Sequence, residues 1–131
     1  MTKIIATDID GVLCWNKHDV KDYRPWRLHQ WYSLCEPTER CGKYYDYIIT
    51  GRRIHYEKLT KRWLEENNVQ YGELVMFPNK EKKTNRSLAK YKADTINKLG
   101  IDIFYEDDER IYGFLVDACE NTDVHLIGFD Y

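Results

Sequence analysis

Five short apolar runs punctuate this 131-residue chain: Ile4–Thr7, Tyr47–Thr50, Leu74–Phe77, Ile101–Tyr105 and Val124–Phe129. β-Branched and aromatic residues dominate them. Several are nearly continuous rather than alternating, as strands covered on both faces are. Longer charged stretches of helical character lie between. Ile54–Asn67 carries Tyr56, Leu59 and Trp63 at i, i+3 and i+7 and is rich in Lys and Glu. Thr84–Leu99 opens on a Thr or Asn cap candidate and stops at Gly100, which suits the left-handed position after a helix. Arg110–Glu120 reads as a shorter helix, and Trp26–Leu34 as an aromatic-rich one. Residues 35–43 read as a loop, and 78–86 as a basic loop before a helix.

Strands alternating with helices predict an α/β fold with helices on both faces of the sheet. The expected architecture is a Rossmann-like three-layer sandwich with a central, mostly parallel five-stranded sheet. The length suits a single domain over residues 1–131. A formal net charge of -2 gives no global electrostatic case for nucleic acid or an anionic membrane. The four cysteines, Cys14, Cys35, Cys41 and Cys119, have neither CxxC nor zinc-finger spacing. They read as free, mostly structural thiols of a reducing compartment. No stretch approaches membrane-spanning length and Met1 leads directly into a strand, so a cytoplasmic protein is expected.

In an open parallel sheet, ligands bind beyond the carboxyl ends of the strands. The first run ends on Asp8 and Asp10, followed by Gly11; the second ends in Thr50-Gly51-Arg52; the fourth in Glu106-Asp107-Asp108. Gly11 permits a tight turn that could curl Asp10 back over Asp8. Two carboxylates held close repel unless a cation intervenes. With Asp107 they make an oxygen-rich site suited to Mg²⁺; taken alone, Asp8 and Asp10 are equally well read as turn residues. Thr50 offers a hydroxyl, Gly51 close backbone approach, and Arg52 a planar fork for phosphate, although Thr-Gly-Arg by itself is also an ordinary turn.

Leu88, Lys92, Ile96 and Leu99 share one helical stripe, so Lys92 faces the sheet, while Lys90 points roughly 200° away. A lysine on a buried face needs an acidic partner or a route to water.

Asp8-x-Asp10-Gly-Val-Leu, Thr50-Gly-Arg52, Lys92 and Glu106-Asp107-Asp108, in that order and each acidic or hydroxyl motif after an apolar strand, resemble the four motifs of the haloacid dehalogenase (HAD) superfamily. Receiver domains also gather Asp, Thr and Lys around Mg²⁺, but they carry the acidic pair near strand one and the phosphorylated Asp after strand three, an arrangement this chain departs from. The resemblance implies a phosphomonoester hydrolase. Asp8 would be the nucleophile and Asp10 the acid and base. Mg²⁺ would be held by Asp8, the Asp10 backbone carbonyl and Asp107, with Asp108 as a further contact or as half of a double-aspartate motif. Thr50 and Lys92 would bind phosphoryl oxygens.

The gaps from Asp10 to Thr50 and from Thr50 to Lys92 are each about forty residues, too short for a large inserted cap once strands and helices are placed. The chain therefore resembles a capless member, with an open site suited to a large substrate. Thr50-Gly-Arg52, the helix with Tyr56, Arg62, Trp63 and Leu64, Met76 after strand three, and Lys92 resemble the 3′-phosphatase domain of phage-type polynucleotide kinase/phosphatase. That likeness carries a phosphate contact to Arg52. It implies a nucleotide or nucleic-acid end as the phosphorylated substrate. The sequence has no GxxxxGK(S/T) phosphate loop of a kinase. Lys80, Lys82, Lys83 and Arg86 in one loop, and Lys17, His18, Lys21, Arg24 and Arg27 interleaved with Trp15, Tyr23 and Trp26 in another, could track a backbone and stack bases, or be solvated charge and core aromatics. Small-metabolite phosphatase is the alternative. A non-catalytic binding or regulatory protein is a further one, which the complete motif set disfavours.

Overall fold

The computed structural model describes residues 2–15 and 25–128. Its elements run β1 (Ile5–Thr7), α1 (Pro25–Leu34), β2 (Tyr44–Arg53), α2 (Glu57–Glu66), β3 (Gln70–Phe77), α3 (Asn85–Leu99), β4 (Ile103–Glu106), α4 (Glu109–Ala118) and β5 (Asp123–Leu126). Short 3₁₀ turns cover Glu39–Gly42 and Ile54–Tyr56. The strands order as β3-β2-β1-β4-β5, and every neighbouring pair is parallel. The Rossmann-like α/β architecture read from the sequence is therefore present, with the sheet fully parallel.

The sheet separates two apolar layers. On one face Ala6, Ile49, Phe104 and Val124 pack with Ala89, Ala93 and Ile96 of α3 and Ile111 and Leu115 of α4. On the other, Tyr45 and Ile48 pack with Trp63 and Leu64 of α2 and with Ile9 and Leu13 of the segment after β1. The two consecutive residues Ile48 and Ile49 thus serve opposite cores, because side chains alternate across a strand. That explains the continuous apolar run.

The apolar runs locate the strands but not their ends. β2 extends from Tyr44 to Arg53 and β3 begins at Gln70, because Tyr44 and Gln70 pair across the ladder although both lie outside the apolar runs. Ile101 belongs to no strand: its N–H donates to the Ile96 carbonyl, closing α3 over left-handed Gly100 (φ 63°). β5 closes at Leu126, and Phe129 lies outside the described residues. The expected helix from Ile54 is split by a 3₁₀ turn, and the expected loop 35–43 contains another. Of the aromatic and basic flap, Lys17, His18, Lys21, Tyr23 and Arg24 lie outside the described residues; Trp26 is half-exposed, with the Arg27 guanidinium 4.5 Å over its ring. Among the described residues no helix is long and apolar enough to cross a membrane.

This strand order places a topological switch point between β1 and β4. The chain winds outward from β1 through β2 to β3, then returns to the other side of β1. Helices leave the two neighbouring strand ends toward opposite faces there, opening a crevice. Asp8 follows β1 and Asp107 follows β4, so both acids stand at that crevice.

The start of α3, which fixes the register of Lys92, rests on a capping box. Thr84 Oγ1 accepts from the Ser87 N–H (3.0 Å), and Ser87 Oγ accepts from the Thr84 N–H (2.8 Å). Thr84→Ala should lower stability by about 1 kcal/mol in urea unfolding.

Candidate active site

Asp8 leaves β1 while its N–H still donates to the Tyr105 carbonyl of β4 (3.1 Å). Its Oδ1 accepts from the Ile9 N–H (2.8 Å), and its Oδ2 from Lys92 Nζ (3.0 Å). Lys92 projects from the apolar face of α3, as its stripe predicts, while Lys90 is exposed. Its ammonium also donates to Glu106 Oε1 at 2.7 Å. Asp8, Lys92 and Glu106 are all buried. The second Glu106 oxygen accepts the N–H groups of Asp107 (3.1 Å) and Asp108 (3.2 Å), so Glu106 shapes the turn that carries Asp107.

Burial pushes the Asp8 carboxyl well above its ordinary range; Lys92 opposes that shift, and Glu106, Asp107 and Asp10 add to it. Burial alone would lower Lys92, but Asp8 and Glu106 outweigh it and hold the ammonium above its ordinary value. The cluster therefore carries a surplus of negative charge that one lysine does not offset.

Asp10, lining the same crevice as Asp8, has its own cation: Arg52 Nη2 donates to Asp10 Oδ1 at 2.6 Å and Nε to Oδ2 at 3.0 Å. The Arg52 fork engages Asp10 in the two-bond geometry that suits guanidinium and carboxylate. Arg52 is 1% exposed. Its guanidinium lies 4.0 Å from the Tyr32 ring centroid, donates to Thr60 Oγ1 (3.3 Å) and reaches Cys35 Sγ (3.6 Å). Burial would lower the Arg52 pKa, but Asp10 outweighs it and raises the group.

Thr50 is fully buried, and its Oγ1 accepts the Arg52 N–H (3.1 Å), which bends the chain after the motif. Gly51 lines the crevice; a Cβ there would press to 3.0 Å against Leu88 of α3. The Gly51 carbonyl accepts from Lys83 Nζ at 2.8 Å. Of the basic loop, Lys83 alone is among the residues that line the crevice; it is exposed by surface, and desolvation by the surrounding protein lowers its pKa. Lys80, Lys82 and Arg86 are exposed away from it. Arg53 braces that loop: its Nη1 donates to the carbonyls of Pro78, Asn79 and Glu81 at 2.8–3.0 Å.

The crevice has a volume of about 190 Å³, room for a phosphoryl group and a few waters at ~30 Å³ each. Asp8, Glu106 and Asp107 each place a carboxylate oxygen within 4.8 Å of the others. Lys92 offsets one of these three charges, and a divalent cation matches the other two. Gly11 (φ 85°) brings the turn after β1 directly against Asp107, where any Cβ would collide with the carboxylate. The Asp8, Glu106 and Asp107 carboxylates thus converge beside that turn. This all-oxygen donor set suits a hard divalent cation. Asp108 also lines the crevice, and its Oδ1 caps α4 by accepting the N–H groups of Arg110 (2.9 Å) and Ile111 (3.2 Å).

A second cluster, Asp10 with Cys14 and Cys35, also has its donor atoms within 4.8 Å. There the guanidinium of Arg52 already supplies the positive charge.

Sequence reasoning gave Glu106 no role of its own, although two-residue alternation puts it on the same face as buried Phe104, toward α3. Tyr32 and Thr60, which hold Arg52, come from α1 and α2 and carry no sequence signal.

No family model and no curated protein matches this sequence. The fold and the crevice define an α/β sandwich with a lysine-bridged acidic cluster at its switch point. Among solved structures, a chain of the Pnkp1/Rnl/Hen1 RNA repair complex is similar, with a TM-score of 0.67 and 15% identity over 95% of this chain and 42% of that one. This chain spans less than half of that protein, and the likeness is one of fold.

The raised Asp8 carboxyl predicts a pH dependence. A raised folded value contributes stability below the ordinary value of 3.8 and loses it as pH rises through the folded value. With divalent cations chelated, Asp8→Asn should therefore melt above the natural protein at neutral pH, and the gap should close as pH falls toward 3.8. Lys92→Met should instead destabilise by roughly 3–5 kcal/mol in urea unfolding, since it leaves two buried carboxylates without their cation.

Proposed function

We propose that the chain is a divalent-cation-dependent phosphomonoester hydrolase of the HAD type, acting through an aspartyl-phosphate on Asp8. The observation that carries this reading is the division of labour between two carboxylates two residues apart. Asp8 is buried against Lys92, whereas Asp10 is held by Arg52 with 24% of its side chain exposed. Paired carboxylates in different surroundings suit different chemical roles.

Asp8 is the residue placed to attack phosphorus. Lys92 holds its carboxylate by one oxygen, and the attacking lone pair comes from a group whose rotation is fixed by the Ile9 N–H. A bound Mg²⁺, held by Asp8, Asp107 and the Asp10 carbonyl, would neutralise phosphoryl charge and Asp8 together. Asp10, on its exposed edge, gives a proton to the leaving oxygen and takes one from the water that opens the acyl phosphate. Arg52 fixes that carboxylate in place. The Gly51 backbone and Lys83 stand on the opposite wall, where phosphoryl oxygens would lie. Thr50, buried beneath Gly51, would offer its hydroxyl proton to one of them.

The substrate class we assign is a phosphorylated nucleotide or polynucleotide end. The fold likeness to a chain of an RNA repair complex supports it, as does a crevice with Lys83 at its rim. The connection between β2 and β3 holds only a 3₁₀ turn and α2, so no cap is inserted there.

Release of phosphate from an aryl phosphate should require Mg²⁺ and vanish in Asp8→Asn; turnover persisting in that variant would remove Asp8 as nucleophile. Asp10→Asn should lower turnover about 10²–10⁴-fold with binding of a phosphate mimic retained. In a panel of 3′- and 5′-phosphorylated oligonucleotides, mononucleotides and sugar phosphates, the oligonucleotides should be preferred. Preference for sugar phosphates would point to small metabolites instead.

A further inference from the structure

Three of the four cysteines lie in the core layer behind Asp10 rather than being scattered through the fold: Cys14, Cys35 and Cys41. Cys14 follows the motif turn, and Cys35 follows α1. Their sulfurs approach within 4.8 Å of each other and of the Asp10 carboxylate. Cys14 Sγ donates to Asp10 Oδ1 at 3.4 Å, while Cys35 Sγ accepts from Arg52 Nη2 at 3.6 Å. The two thiols therefore contact both members of the Asp10–Arg52 pair, one each.

The backbone around them is already joined. Cys14 forms an antiparallel bridge with Pro37, and the Trp15 N–H donates to the Glu36 carbonyl at 2.9 Å. This pairing holds the two segments that carry the sulfurs side by side. The other thiols are engaged elsewhere. Cys41 Sγ donates to the Leu13 carbonyl at 3.1 Å, and Cys119 sits in the opposite core layer against the Ala93 carbonyl.

We propose that Cys14 and Cys35 are a reversible disulfide site whose closure withdraws one thiol contact from each member of the Asp10–Arg52 pair. The oxidant is a hydroperoxide, small enough to reach a buried thiol; Cys35 keeps 9% of its surface and adjoins Leu34, which is 75% exposed. Cys35 is the more accessible of the two sulfurs, Cys14 being fully buried, and has the Arg52 guanidinium beside it, so it is the one oxidised first. Cys35 thiolate takes the terminal hydroperoxide oxygen, giving a sulfenic acid and, with the thiol proton, water or an alcohol. Cys14 sulfur then attacks the Cys35 sulfur and expels hydroxide, which combines with the Cys14 proton as water. Two thiols are oxidised by two electrons, and one hydroperoxide is reduced.

Closure removes the Cys14 S–H donor from Asp10 and turns the Cys35 sulfur from Arg52 toward Cys14. Asp10 loses one of its fixed contacts, and Arg52 loses one of its four partners among Asp10, Thr60, Tyr32 and Cys35. The effect on turnover rests on the hydrolase reading of Asp10; the disulfide itself does not.

The test treats the intact protein with hydrogen peroxide, alkylates the remaining thiols and maps the peptides by mass spectrometry. A Cys14–Cys35 peptide pair that dithiothreitol reverses is expected, with Cys41 and Cys119 alkylated. A bond through Cys41 or Cys119, or four alkylated thiols after treatment, overturns the site. In Cys14→Ala, peroxide should leave a dimedone-reactive sulfenic acid on Cys35; dimedone on another residue overturns the order of attack. Phosphatase turnover should fall several-fold on oxidation and return with reductant, and peroxide should cause no such fall in Cys35→Ser. A mapped disulfide with unchanged turnover overturns the link to Asp10. If no substrate is turned over, peptide mapping still decides the disulfide, so the two readings fail separately.

Discussion

A single buried ammonium holds the crevice together. Lys92 lies between Asp8, at the end of β1, and Glu106, at the end of β4. It ties the two strands that flank the switch point to α3, which covers the face they share. A lysine in such a place is costly to bury, and the cost is recovered only if acidic partners meet it in good geometry. Here both do, at 3.0 and 2.7 Å. The arrangement fixes the Asp8 carboxylate and, through the second Glu106 oxygen, the turn that carries Asp107. An acidic site that would otherwise fly apart is thereby held ready, short of charge balance by an amount a divalent cation supplies.

The second ion pair is separate. Arg52 leaves β2 and binds Asp10 on the opposite face of the motif turn from Lys92. Each acid of the Asp-x-Asp pair thus has a different cation, Lys92 for Asp8 and Arg52 for Asp10. Two carboxylates two residues apart therefore sit in different electrostatic surroundings. It also explains the side chains gathered around Arg52. A buried guanidinium has five N–H donors, and Asp10, Thr60, Cys35 and the Tyr32 ring absorb its charge and donors together. The cysteines belong to that shell, which couples their chemistry to Asp10.

The crevice walls come from elements with ordinary structural reasons to be where they are. Gly11 is demanded by a left-handed turn pressed against Asp107, and Gly51 by the close approach of Leu88. Arg53 braces the loop that carries Lys83. Most crevice residues sit at strand ends and helix starts, with Asp108 serving α4 as a cap.

Much of this was legible in the sequence. The alternation of apolar runs with amphipathic stretches determines a parallel α/β sheet, because only helix-length crossovers can join parallel strands. The stripe Leu88, Lys92, Ile96 determines that Lys92 faces the sheet, because helix periodicity is local. Strand ends carry Asp8, Thr50 and Asp107 to one edge for the same reason. Strand limits at Tyr44, Gln70 and Ile101 were not legible, since ladder pairing and helix closure decide them and neither depends on hydropathy. Tertiary structure alone decided the partners. Asp10 pairs with Arg52, Glu106 rather than solvent satisfies Lys92, and Cys14 meets Cys35 across the chain. Each of these is a meeting of residues far apart in sequence, chosen by three-dimensional geometry and by the need of every buried charge for a partner.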